Sequence, residues 1–240
     1  MNWNEIVEKI TPSIVKIETP DGHGTGFLCF YNEDRSVCGI ATANHVVSHA
    51  DRWQHPIRIH HFSSGGVSLL KETERAIHTD AFRDSAVIMI PSGRLDLPQE
   101  AIPLRPTNNR LPIGIEVGWL GFPGIDEEAM CFFSGSVSAW QDFRKAYLID
   151  GVAINGISGG PVVHSSMTDG VQIVGTITAY RANRLTGETL PGLSVAQDVS
   201  HFHDIMAKVR SIDEANRIKK IEQQKNEVGP TDGPLPVPGA

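Results

Sequence analysis

Short strand-like runs, each closed by a turn-forming stretch, dominate the sequence between Ser13 and Gln197 and narrow the choice of fold sharply. In order they are Ser13–Glu18, Gly26–Phe30, Ile40–Thr42, Ile57–Phe62, Val67–Leu70, Ala86–Ile90 and Ile115–Gly121, then Ala129–Ala139, Ala146–Ile149, Pro161–His164, Val171–Tyr180 and Leu193–Gln197. The 23 Gly and 15 Pro fall at short intervals, a pattern that favours many short strands over long helices. Runs of this length and spacing read as a sandwich or a pair of barrels. With 240 residues, 40% hydrophobic and 20% charged, the chain suits one large all-β domain or two small halves around a sizeable core.

The two ends read differently. Asn4–Ile10 has helical apolar spacing, and Thr11-Pro12 stops it. Val199–Met206 opens a helix packed by Ile205, Met206 and Val209, and a second, highly charged stretch follows from Ile212 to Val228. That stretch is polar nearly all round, so it reads as a solvated helix, with its isoleucines as the alternative seat for a partner. Residues 229–240, rich in Pro and Gly, are expected to be disordered.

A net charge of −7 gives no electrostatic footprint for a nucleic-acid backbone, so no nucleic-acid partner is expected. No apolar stretch approaches a bilayer span, and the N-terminus lacks the basic and apolar regions of a secretory signal. Three cysteines are too few for a disulfide framework; a Cys29–Cys38 bridge stays open, but reduced thiols in a cytoplasmic protein are the expectation.

Three segments carry chemistry. His45 ends an apolar strand in Ala41-Thr42-Ala43-Asn44-His45-Val46-Val47. Asp84 immediately precedes a buried strand, and Ser158 lies in the turn Asn155-Gly156-Ile157-Ser158-Gly159-Gly160-Pro161. A serine hydroxyl needs a nearby base to become a nucleophile at neutral pH, imidazole is suited to that task, and a carboxylate fixes the imidazole tautomer. Backbone N–H groups of Gly156 and Ser158 would stabilise the oxyanion of a tetrahedral intermediate; losing one such donor costs about 2.7–4 kcal/mol.

The His-Asp-Ser order and the glycine-rich serine turn resemble those of trypsin-like serine proteases. Pro12–Ile17 followed by Gly24-Thr25-Gly26-Phe27, and Ile149–Asn155 before the serine, are similar to the HtrA/Deg-type branch. The resemblance covers roughly residues 1–210 and implies two six-stranded antiparallel β-barrels, at about 12–95 and 110–198, flanked by an N-terminal helix and C-terminal helices. It also implies a triad of His45, Asp84 and Ser158 and an oxyanion hole at Gly156 and Ser158. Val152, six residues before the nucleophile, would line the base of the P1-binding pocket, and Thr176, Ile177 and Thr178 would flank it and pair with substrate backbone. With no acid at the pocket base, a small or medium aliphatic P1 residue is expected. Ile157 stands where zymogen-activated members carry an acid, so activation by N-terminal cleavage is not expected, nor is a PDZ module or an anchor within this chain.

Each residue has a plainer reading. His45 alone would be a satisfied core histidine, Ser158 an ordinary glycine-turn serine, and Asp84 a strand cap or a partner of Arg83, with Asp80 the fallback carboxylate. His60-His61 point to opposite faces of a strand, and His201 and His203 do not share a helix face, so no metal is expected, and no cofactor. The four tryptophans are expected in core or loop packing. Jointly the three segments point to a serine endopeptidase acting on protein or peptide substrates, of narrow specificity or activated by a partner protein. The alternative is a protease-fold binding or scaffold module.

Overall fold

The computed structural model describes residues 2–182 and 189–227. A short helix, α1 (Trp3–Ile10), opens the chain. Its Asn2 cap accepts from the Glu5 N–H while the Glu5 carboxylate accepts from the Asn2 N–H, and Ile6 and Ile10 are buried. Seven strands then form one antiparallel sheet: β1 (Ile14–Thr19), β2 (Gly22–Tyr31), β3 (Val37–Ala43), β4 (Ile57–His61), β5 (Val67–Leu70), β6 (Ala76–Asp80) and β7 (Ser85–Pro91), with helix α2 (Asn44–Arg52) between β3 and β4. The sheet order is β5-β4-β1-β2-β3-β7-β6, a half-barrel with β5 and β6 at its edges.

Six further strands close on themselves. They are β8 (Glu116–Gly121), β9 (Cys131–Gln141), β10 (Ala146–Asp150), β11 (Pro161–Ser166), β12 (Gly170–Ala182) and β13 (Thr189–Asp198), in the barrel order β10-β13-β12-β11-β8-β9. The fold is the all-β chymotrypsin-like one, with two departures from expectation. The first unit is an open seven-stranded sheet rather than a closed six-stranded barrel; the added strand, β6, has no fully buried residue and gains its place by pairing with β7 from Ala76↔Met89 to Asp80↔Ser85. The C-terminal segments are one continuous helix, α3 (Ser200–Glu227), because Ser211 does not break it: its hydroxyl donates back to the Ala207 carbonyl at 3.0 Å. The proposed disordered tail, 229–240, lies outside the described residues.

Three apolar clusters hold these parts. One fills the half-barrel with Ile17, Leu28, Ile40, Ile59 and Ile88, and another fills the barrel with Val117, Trp119, Ile149 and Ile157. The third joins the two sheets and both terminal helices through Ile10, Phe27, Leu120, Val163, Phe202 and Ile205. Phe27 and Phe202 meet edge to face at 6.0 Å and are both fully buried. Burying one such side chain is worth about 1.5–3 kcal/mol, so Phe202, Ile205 and Val209 pin the first turns of α3; further on, Asp213 accepts from the Glu33 N–H at 2.9 Å.

All three cysteines are free thiols. An irregularity in the pairing of β2 and β3 after Leu28 sets Cys38 opposite Tyr31, and Cys29 and Cys38 pack into different clusters. The bridge left open by the sequence is not formed. Of the tryptophans, Trp119 is fully buried, Trp3 packs on Phe132 and Trp140 on Tyr147, whereas Trp53 is exposed. Among the described residues no helix is long and apolar enough to cross a membrane.

Candidate active site

The chain places His45 at the joint between β3 and α2. β3 pairs with β7 up to Ala43↔Ser85, so the residues just past the ladder, Asn44 and Asp84, face each other, and the Asn44 N–H donates to the Asp84 carbonyl at 3.1 Å. Asp84 itself sits at φ +51°, a left-handed conformation that aspartate tolerates better than most residues. The turn before it is held by Asp80, whose Oδ1 accepts from the Phe82 and Arg83 N–H groups. The result is a two-point grip: Asp84 Oδ1 accepts from the His45 N–H at 2.9 Å, and Oδ2 accepts from His45 Nδ1 at 2.7 Å. With Nδ1 donating, the Nε2 lone pair is left free as a base. Asp80 is spent elsewhere, on Arg83 at 3.2 Å and facing His201 at 3.7 Å.

Ser158 comes from the loop between β10 and β11. Gly156 (φ +92°) and Gly159 (φ +87°) take backbone conformations that exclude other residues: a Cβ on Gly156 would run into the Phe122 carbonyl and the His23 ring, and one on Gly159 into Thr25 and Thr42. Between them Ile157 is fully buried in the barrel core, which explains an apolar residue here and anchors the turn. Gly124 N–H donates to the Asn155 carbonyl at 2.7 Å, and Gly160 N–H to the Ile157 carbonyl at 2.8 Å. Because N–H and C=O of a trans peptide point opposite ways, these bonds direct the Gly156 and Ser158 N–H groups opposite to the Asn155 and Ile157 carbonyls. Neither N–H has an acceptor among the described residues.

His45 and Ser158 line one cleft of about 280 Å³, walled by Ala153–Asn155 on one side and Ile177–Ala179 on the other. No hydrogen bond joins Ser158 Oγ to His45 among the described residues. Apart from His45, the described lining carries no ionisable side chain. Of the expected substrate contacts, Ile177 and Thr178 line this cleft. Val152 and Thr176 do not: Val152 is 49% exposed, and Thr176 is fully buried with its hydroxyl unpartnered. Ala179, on the same strand as Ile177 and Thr178, lines it too, while Ala153, Ile154 and Asn155 are the lining residues that counting back from the serine missed. Larger grooves exist, one of about 670 Å³ between α3 and the β2–β3 turn, but they hold neither His45 nor Ser158.

Three of the histidines weighed as metal ligands are each engaged with a separate partner. His60 donates to Glu18 at 2.9 Å, His61 to the Pro12 carbonyl at 2.7 Å, and His203 to the Arg105 carbonyl at 2.9 Å. No group of three His, Cys, Asp or Glu suited to a metal ion occurs among the described residues.

Residues 24–170 match the sequence profile of the trypsin-like peptidase domain. No curated protein matches the chain. Among solved structures it is similar to an inactive-form serine-to-alanine mutant of Rv3671c from M. tuberculosis H37Rv, at 17% identity and TM-score 0.59 over 87% of this chain and 92% of that one. It is also similar to the serine endoprotease from Yersinia pestis, at 22% identity and TM-score 0.62 over 88% of this chain and 67% of that one. These likenesses bear on the fold, while the profile spans more than half of the sequence, from before His45 to past Ser158: the chain belongs to the family of trypsin-like peptidases.

Proposed function

We propose that the protein is a serine endopeptidase, HtrA/Deg-like in its opening strands and in its approach to the serine, that works through an acyl-enzyme on Ser158. The observation that carries this reading is the two-point grip of Asp84 on His45, which in the neutral imidazole puts the proton on Nδ1 and the lone pair on Nε2, at a cleft that His45 shares with Ser158. Ser158 Oγ attacks the scissile carbonyl carbon while its proton passes to His45 Nε2, and the carbonyl π pair moves onto oxygen, facing the Gly156 and Ser158 N–H groups. Collapse breaks the C–N bond, His45 returns the proton to the leaving amine, and an ester remains on Ser158. Water then attacks that ester with His45 again as base, releasing the acid and restoring Ser158. The Ser158–His45 bond absent from the unliganded site is one that such sites commonly tighten on binding substrate.

The cleft, whose described lining holds Ala153, Ile154, Ile177 and Ala179 and no acidic side chain, supports a small or medium aliphatic P1 residue, with Ile177–Ala179 as the strand that substrate backbone joins. Three free thiols support a reducing, cytoplasmic setting. The largely exposed, highly charged C-terminal part of α3 offers a surface for a companion protein, and favours a narrow-specificity enzyme that such a partner activates. A quenched-fluorescence peptide library tests the proposal: cleavage after aliphatic residues, lost in Ser158→Ala, supports it. Cleavage that survives Ser158→Ala, or that follows basic residues, contradicts it. A scaffold module would give no cleavage with any peptide or companion.

A further inference from the structure

The serine turn is held from outside its own loop by one residue of the opposite sheet. Thr25, on β2, is fully buried and makes four hydrogen bonds, two of them to the turn itself. Its hydroxyl donates to the Gly156 carbonyl at 2.9 Å and accepts from the Phe122 N–H at 3.1 Å. Its own N–H donates to the Ser158 carbonyl at 2.8 Å, and its carbonyl accepts from Thr42 Oγ1 at 2.7 Å. The surroundings are cleared for this arrangement. A Cβ on Gly121 would lie 2.7 Å from Thr25 Oγ1, and one on Gly24 would lie 3.0 Å from the Ser158 carbonyl.

The geometry points to Thr25 as a positioning residue that sets the oxyanion donors through its side-chain hydroxyl. The peptide between Gly156 and Ile157 is gripped at both ends: Thr25 Oγ1 takes its carbonyl, and the Ile154 carbonyl takes its N–H at 3.1 Å. Releasing the carbonyl end frees that peptide to rotate, since Gly156 has no side chain to resist. Rotation of this unit loosens Gly156 at its Cα, so that the neighbouring Gly156 N–H, one of the two groups proposed to meet the oxyanion, is held only through the Gly124 bond to the Asn155 carbonyl. A hydroxyl has one proton to give and lone pairs to accept with, and both uses are taken here. Valine matches the shape of threonine but leaves the Gly156 carbonyl and the Phe122 N–H buried and unpaired, whereas serine keeps both bonds.

This inference rests on the reading of Ser158 as nucleophile, and the test separates the two. A fluorophosphonate probe reacts with an activated serine through a phosphorus centre whose oxygen draws on the same N–H donors as a peptide carbonyl. The second-order labelling rate, measured by intact mass, is expected to fall about 10- to 100-fold in Thr25→Val and to return to within about 3-fold of wild type in Thr25→Ser. A peptide aldehyde, which forms a tetrahedral adduct, loses affinity in parallel, while KM for a cleaved peptide stays within about 2-fold. Thermal melts report the folded state of each variant, and Thr25→Ala, which adds no bulk, replaces Thr25→Val if the latter does not fold. Labelling of folded Thr25→Val or Thr25→Ala at the wild-type rate overturns the role of Thr25 alone. An unlabelled wild type, in contrast, overturns the nucleophile reading and this inference with it.

Discussion

Asp84→Asn isolates the chemistry of the grip on His45 from its geometry. Asparagine tolerates the left-handed backbone at φ +51° and fills the same space, so the fold should be almost unaffected. The side chain, however, has only one acceptor for two donors. Oδ1 of Asp84 accepts from the His45 N–H and Oδ2 from His45 Nδ1. If the new amide nitrogen faced the backbone N–H, two donors that cannot rearrange would collide. The amide therefore keeps its oxygen on the backbone and turns its NH₂ to Nδ1. A donor at Nδ1 moves the ring proton to Nε2, the atom that must accept from Ser158. The base is then blocked while every heavy atom stays in place. For a triad of this kind the loss is about 10⁴-fold, or roughly 5.4 kcal/mol of transition-state stabilisation. Stopped-time labelling with a fluorophosphonate, together with peptide turnover, reads this directly, and a melting curve checks the fold. Labelling of Asp84→Asn within about tenfold of wild type, with an unchanged melt, would refute the argument that Asp84 sets the tautomer.

Other outcomes follow from the same geometry. Gly159→Ala must place a Cβ against the Thr25 carbonyl and Thr42 hydroxyl at φ +87°, and should cost more than about 2 kcal/mol in urea unfolding. Phe27→Ala opens a cavity against Phe202 and should cost about 3–5 kcal/mol in the same assay, loosening α3 first in hydrogen exchange. Burial acts to raise the Glu18 carboxyl, but hydrogen bonds from His60 and Lys16 outweigh it and lower the pKa from 4.5 to about 2. Glu18 therefore stabilises the fold above pH 4.5 and loses that contribution as pH falls toward 2; Glu18→Gln should flatten urea midpoints across that window. Burial pushes the Cys29 thiol up and the Cys38 thiol to about 11, so iodoacetamide on the native protein should alkylate half-buried Cys131 first, as peptide mapping would show.

The strands that pack on a core were legible in the sequence because burial writes apolar runs, and those of the closed barrel match the expected runs strand for strand. β6 was not legible, since an exposed edge needs no apolar alternation and takes its place from its partner's register. α2 was hidden for a related reason: only Val46, Val47 and Ala50 of its nine residues are buried, so the segment holding His45 read as the end of a strand. His45, Asp84 and Ser158 could be proposed from residue type and order. The cleft walls could not, because which loop residue faces the serine depends on the path of the chain between Gly151 and Gly160, and counting six back reaches Val152 rather than Ala153 or Ile154. Thr25 was visible only as a letter in Gly-Thr-Gly-Phe, since its hydroxyl partners lie 131 and 97 residues away.

Covalent labelling of the wild-type protein and of Ser158→Ala with a fluorophosphonate, read by intact mass, bears most directly on the claim that Ser158 is an activated nucleophile. The account predicts one adduct per wild-type chain, mapped to Ser158 by peptide sequencing, and none on Ser158→Ala. A folded wild type that takes no adduct, or an adduct that persists in Ser158→Ala, would contradict it.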